Sequence, residues 1–179
     1  NACSVSAAYV VTQPASALSF GAPVVVDELC NGASTGSITV SVSGGNTTSA
    51  YTYSWSHNAG LNNSTASNLP AATYIVTVTD VNGCSLSSSN TVNQPTAVIF
   101  GNQTITNVSC FGGNDGSATI TPTGGTGAYT YTWNGVSGSN PQNGLVANTY
   151  TVVVTDANNC PFTTTVTVTE PAQIIVAPT

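Results

Sequence analysis

The feature that most constrains this chain is an internal repeat, which limits it to architectures made of small like units in series. The run Cys30-Asn-Gly-Ala-Ser-Thr-Gly-Ser-Ile-Thr-Val lies over Cys110-Phe-Gly-Gly-Asn-Asp-Gly-Ser-Ala-Thr-Ile, 80 residues on. Ala50-Tyr-Thr-Tyr-Ser-Trp55 lies over Ala128-Tyr-Thr-Tyr-Thr-Trp133 at an offset of 78, and Thr73 to Asp80 over Thr149 to Asp156 at 76. The falling offset means that the second copy has shorter loops, where deletions are tolerated best. The pattern continues beyond these copies. Cys84 to Gln94-Pro95 matches Cys3 to Gln13-Pro14 and Cys160 to Glu170-Pro171. A short apolar stretch follows each proline: Leu18 to Phe20, Val98 to Phe100 and Ile174 to Val176. Residues 1–14 are therefore expected to be the C-terminal strand of a preceding repeat, 15–95 and 96–171 two whole repeats, and 172–179 the first strand of a following one. With no signal peptide in view, the chain reads as a mature or internal piece of a longer array.

Each copy reads as all-β. Ile38, Val40 and Val42 alternate with Ser37, Thr39 and Ser41, a period of two. Tyr51, Tyr53 and Trp55 share one strand face, as do Tyr129, Tyr131 and Trp133 in the second copy. Tyr74, Val76 and Val78 repeat the alternation, matched by Tyr150, Val152 and Val154. Gly44-Gly45, Gly124-Gly125, Asn82-Gly83 and Asn158-Asn159 mark turns that need positive φ. No stretch has helical spacing. Short strands with a Trp between two cysteines predict tandem immunoglobulin-like β-sandwich domains, end to end as a rod. The Cys30-to-Trp55 distance is too long for an antibody-type domain, so the expectation concerns architecture and not that family. Leu69 to Tyr74 and Leu145 to Tyr150 have the form of a corner in which a Tyr hydroxyl bonds back to the preceding loop. The joint at Gln94-Pro95 is too brief for a floppy linker, which predicts stiff domains of roughly 35–40 Å each from strand rise.

Composition excludes several functions. The chain has no Lys or Arg, six acids and a net charge of −6. Without cations there is no phosphate clamp, which argues against nucleic-acid binding and against anionic membrane surfaces. No apolar run reaches the ~18 residues that span a bilayer. Without lysine there is no Schiff-base chemistry and no Lys–Asn isopeptide staple. Only 3% of residues are charged, but 40% are hydrophobic, enough to build a core.

Five cysteines without a CxxC pair point to an oxidising compartment and away from zinc. The expected pairs are Cys30 with Cys84 and Cys110 with Cys160, inside each repeat. Cys3 is left with a partner outside the chain. Each loop would stabilise its domain by about 3–5 kcal/mol in the chain-entropy model.

The search for chemistry yields little. His57 is the only histidine, and its counterpart is Gly135, so it is read as a loop residue. No nucleophile, base and orienting acid stand at recognisable spacing, so no enzyme activity and no cofactor are expected. Asp80 and Asp156 recur before the Asn-rich turn and are candidate calcium ligands, set against an Asx-type turn that satisfies local backbone N–H groups. The turn is favoured because the other acids, Asp27, Glu28, Asp115 and Glu170, are so few. Tyr51, Tyr53, Trp55, Tyr129, Tyr131 and Trp133 are candidate sugar-stacking residues, set against an aromatic core, which is favoured. Thr and Ser on the opposite faces read as ordinary solvent-facing strand residues. Sequons stand at Asn46, Asn62, Asn63, Asn102 and Asn107.

The combined pattern Cys-x-Gly, Gly-Gly, Tyr-Thr-Tyr-x-Trp, Leu-x-x-x-Thr-Tyr, Val-Thr-Asp-x-Asn-x-Cys and Gln/Glu-Pro, read at Cys30 to Pro95 and Cys110 to Pro171, resembles the SprB repeat. Ala72 and Asn148 stand where Gly is common before Thr-Tyr, and Asn159 replaces the Gly of the last turn. The resemblance implies a segment of a very large surface adhesin of gliding Bacteroidota, exported by the type IX route. The expected partners are neighbouring repeats or filament subunits, with surface glycans as a further class and a carbohydrate-binding module as the alternative function.

Overall fold

The computed structural model describes residues 3–9, 13–14, 16–46 and 48–176. These residues form strands and no helix. They fall into two compact units: one of residues up to Asp27 together with Ser34–Asn93, the other of Glu28–Ala33 together with Gln94 onward.

The first unit holds β1 (Ser19–Phe20), β2 (Val24–Val26), β3 (Gly36–Thr39), β4 (Val42–Ser43), β5 (Thr52–Trp55), β6 (Thr65–Leu69), β7 (Ala72–Thr79) and β8 (Ser85–Val92). One sheet has the order β2-β3-β6 and the other β5-β7-β8, with β1 and β4 as a separate pair. All pairings are antiparallel. The sheets meet through Ile38, Ala66 and Leu69 on one side and Trp55, Tyr74, Val76, Val78 and Val92 on the other. This is the inward half of the period-2 pattern, and its burial drives the packing.

The second unit holds β9 (Ile99–Thr106), β10 (Gly116–Thr123), β11 (Thr130–Trp133), β12 (Val136–Gly138), β13 (Gln142–Leu145), β14 (Asn148–Thr155) and β15 (Pro161–Val168). Its sheets run β13-β10-β9 and β12-β11-β14-β15. They enclose Ala118, Ile120, Leu145, Trp133, Val152, Val154, Val166 and Val168. Here β9 is continuous where the first unit splits the same stretch into β1 and β2. The break falls at Pro23, which has no N–H for the ladder and stands where the second copy has Gln103.

Local signals act as expected at the turns. Gly44 and Gly124 have φ of 80° and 83°, and a Cβ there would overlap the carbonyls of Ala17 and Ala97. The corner tyrosines bond back as predicted: the Tyr74 hydroxyl donates to the Pro70 carbonyl at 2.7 Å and that of Tyr150 to the Val146 carbonyl at 3.0 Å. The outward hydroxyls pair across strands, as in Thr39 with Thr65 and Thr149 with Thr167, both at 3.0 Å.

The end segments form no strand over their described residues, Cys3–Tyr9 and Gln173–Val176. Val5, Tyr9, Ile174, Ile175 and Val176 are exposed. A strand is held by ladder bonds to a neighbour, and these residues have none among the described residues. Residues 1–2, 10–12 and 177–179 of the expected terminal strands lie outside the described residues.

Candidate functional site

The feature common to both units is the turn Asp-x-Asn-x-Cys that joins the two long strands of the second sheet. In the first unit Asp80 Oδ1 accepts from the amides of Asn82 at 3.0 Å and Cys84 at 2.9 Å, while Oδ2 accepts from the Asn46 amide at 2.9 Å. In the second unit Asp156 Oδ1 accepts from Asn158 and Cys160, and Oδ2 from Thr126, all at 2.9 Å. Both carboxylates are buried. The Asn46 amide is the main cause that holds the Asp80 carboxyl below its ordinary range, against the opposing effect of burial. At Asp156 the Cys160 amide has the same role. These oxygens are engaged by backbone N–H groups, the arrangement of an Asx-type turn. The carboxylate ties the turn to the Gly-Gly hairpin and holds the cysteine just before the last strand.

A depressed carboxyl pKa favours the fold wherever the carboxylate is ionised. That contribution is present above the unfolded value, about 3.9, and is lost as pH falls through the folded value. Thermal stability should therefore drop as the pH is lowered below about 4. Asp156→Asn should be less stable at neutral pH and lose part of that acid dependence. Melting curves across pH check this; an unchanged acid profile would remove the carboxylate from the account.

The cysteines correct the sequence reading. Cys30 is bonded to Cys160, with Cα atoms 5.6 Å apart, while Cys3, Cys84 and Cys110 are exposed thiols. Neither expected intra-repeat pair, Cys30 with Cys84 or Cys110 with Cys160, is formed. The reason is strand length. In the first unit the Asp27 carboxylate accepts from the Asn93 amide at 2.8 Å, which places the chain entering the cysteine loop at the far end of β8. Cys84 stands at the near end, and eight residues of strand separate the two by roughly 25 Å. A disulfide needs Cα atoms within about 7 Å. The second unit repeats the geometry: Val108 donates to the Thr169 carbonyl at 3.0 Å, at the end of β15 opposite Cys160.

Cys30 sits in the loop Glu28–Ala33, which belongs to the second unit although the repeat logic places it in the first copy. Three hydrogen bonds seat it there. The Gly32 amide donates to Gln94 Oε1 at 2.7 Å, Asn31 Nδ2 to the Pro95 carbonyl at 3.0 Å, and Asn158 Nδ2 to the Leu29 carbonyl at 3.0 Å. The Gln-Pro dipeptide and the Asn of the turn were visible in the sequence, but their part in receiving this loop was not. The length of the strand after Cys84 was the signal that excluded the local pairing.

The aromatic candidates form core, not a platform. Trp55 and Trp133 are buried, their indole N–H groups donating to the carbonyls of Asn63 at 2.9 Å and Ser139 at 3.1 Å. Tyr51, Tyr53, Tyr129 and Tyr131 pack partly buried against the same clusters. His57 is exposed, its ring edge-on to Tyr74 with centroids 5.1 Å apart.

Fold and site together define an all-β protein of repeated two-sheet sandwiches, with a carboxylate-capped cysteine turn in each. The SprB repeat family model matches residues 22–60 and 102–138, one segment in each copy. No curated protein matches the sequence. Among solved structures, the chain is similar to the N-terminal eight Ig domains of Down Syndrome Cell Adhesion Molecule isoform 1.30.30, at 9% identity and a TM-score of 0.42. That likeness covers 89% of this chain and 25% of the other, so the chain spans about a quarter of that protein's crystallised length. Among the described residues no helix is long and apolar enough to cross a membrane.

Proposed function

We propose that the chain is a structural and adhesive repeat segment of an extracellular bacterial filament or giant surface adhesin, where it acts as a stiff, disulfide-stabilised spacer. The observation that carries this is the reuse of one plan in both copies. Each spends its Trp and Tyr residues on an internal core and presents Thr and Ser outward, and each joins its last two strands through the same cysteine turn. The SprB match agrees with surface display. A non-enzymatic role follows from the same economy: the recurrent carboxylates are committed to backbone amides, and His57 has no counterpart in the second copy. The partners of such a segment are neighbouring repeats or filament subunits. The carbohydrate-binding alternative is disfavoured because Trp55 and Trp133 are turned inward. Antibodies raised against the chain should label filaments on unpermeabilised bacteria that produce it, and the chain should give no Trp-dependent signal on a glycan array. Label confined to the cell interior would end the surface reading, and glycan binding abolished by changing Trp55 or Trp133 would favour the alternative.

A further inference from the structure

The first unit carries a receiving surface like that of the second, and among the described residues no cysteine loop lines it. Beside Cys84 lies a groove of about 530 Å³ walled by Gln13, Pro14, Leu18, Gly45, Asp80 and Leu86. Its counterpart in the second unit is walled by Val98, Gly125, Asp156 and Phe162 at the matching positions, with Cys30, Asn31 and Ala33 of the seated loop as further walls. The backbone around the two is built alike: Gly45 donates to the Ser16 carbonyl at 2.9 Å and Gly125 to the Thr96 carbonyl at 2.8 Å. With its loop in place Cys160 is buried, whereas Cys84 is exposed.

We propose that the groove beside Cys84 is a docking site for the Cys-x-Gly loop of another repeat of this type, locked by a disulfide to Cys84. The polar groups for such a guest are at hand. Gln13 corresponds to Gln94, which accepts from the loop's glycine amide, and the Pro14 carbonyl corresponds to that of Pro95. Asn82 corresponds to Asn158, whose side-chain amide donates to the residue before the loop cysteine. The second copy's own loop has the conformation that a guest would bring. Its Gly112 amide donates to Glu170 Oε2 at 2.6 Å, as Gly32 donates to Gln94, and Cys110 is left as an exposed thiol. Closing the bond oxidises two thiols by two electrons and releases two protons. A small-molecule disulfide accepts them by thiol–disulfide exchange and leaves as two thiols.

The test uses the intact chain with its Cys30–Cys160 bond formed. A peptide of residues 27–35 carries its cysteine as a mixed disulfide with thionitrobenzoate. Attack by a protein thiolate forms the new S–S bond, breaks the old one and releases thionitrobenzoate. Chymotryptic mapping then gives the rate at Cys3, Cys84 and Cys110. Docking raises the local concentration of the reacting sulfur, so Cys84 should react at least about tenfold faster than the other two thiols. A scrambled peptide should show no preference, and Gln13→Ala and Asn82→Ala should each erode it while leaving the Cys30–Cys160 bond intact. Equal rates at the three thiols, or a Cys84 preference that the scrambled peptide shares, would overturn the proposal.

Discussion

Reducing the Cys30–Cys160 bond should lengthen the chain available to a force probe by about 450 Å. The two cysteines are 130 residues apart, and an extended chain spans at most about 3.3–3.6 Å per residue. With the bond intact, a pull on the termini can straighten only the residues outside that loop, because force passes through the sulfur–sulfur link. All the strands except β1, β2 and β15 lie wholly inside it. Single-molecule extension with and without reductant reads the difference directly. The same bond closes a loop of 130 residues and should stabilise the oxidised chain by about 5 kcal/mol in the chain-entropy model. Cys160→Ser should therefore extend like the reduced protein and unfold at lower denaturant. Equal contour lengths in the two redox states would mean that the bond carries no load, and the spacer reading would lose its mechanical basis.

Trp55→Ala should cost about 3–5 kcal/mol of stability. The indole is 1% exposed and lies between the two sheets of the first unit. Alanine leaves a cavity in the cluster that holds Ile38 and Val76 and removes the donor to the Asn63 carbonyl. Tyr51→Phe is the matched control. It removes only the hydroxyl that donates to the Gly44 carbonyl at 2.7 Å, a loss of about 1 kcal/mol. Denaturant unfolding followed by circular dichroism compares the two. If the tryptophan variant fell no further than the tyrosine one, the aromatic strand would not be the centre of the core, and the sugar-stacking reading would return.

Much of the architecture was legible because strands and turns write themselves locally. The alternation at Tyr74, Val76 and Val78 and its copy at Tyr150, Val152 and Val154 report a half-buried strand with a period of two, whatever lies around it. Gly-Gly and the Asn-containing turns mark positions that need positive φ, a preference decided within one residue. The Tyr corner spans four residues, so its hydrogen bond too was readable in advance. The aspartates were half legible. An Asx turn was the favoured reading, but the bond from Asp80 Oδ2 to the Asn46 amide reaches 34 residues back, and no local pattern encodes it.

What sequence alone determined, then, is the repeat, the strands with their inward and outward faces, and the turns between them. Each depends on residues a few positions apart. Only the tertiary structure decided that Cys30 bonds Cys160, and that Glu28–Ala33 belongs with the second unit. Sequence distance favours the 54-residue loop to Cys84 over the 130-residue one to Cys160. Loop-closure entropy grows only with the logarithm of length, so that advantage is about 1 kcal/mol or less. It is outweighed by geometry: a strand of eight residues holds Cys84 some 25 Å from the loop, whereas packing brings Cys160 into bonding range.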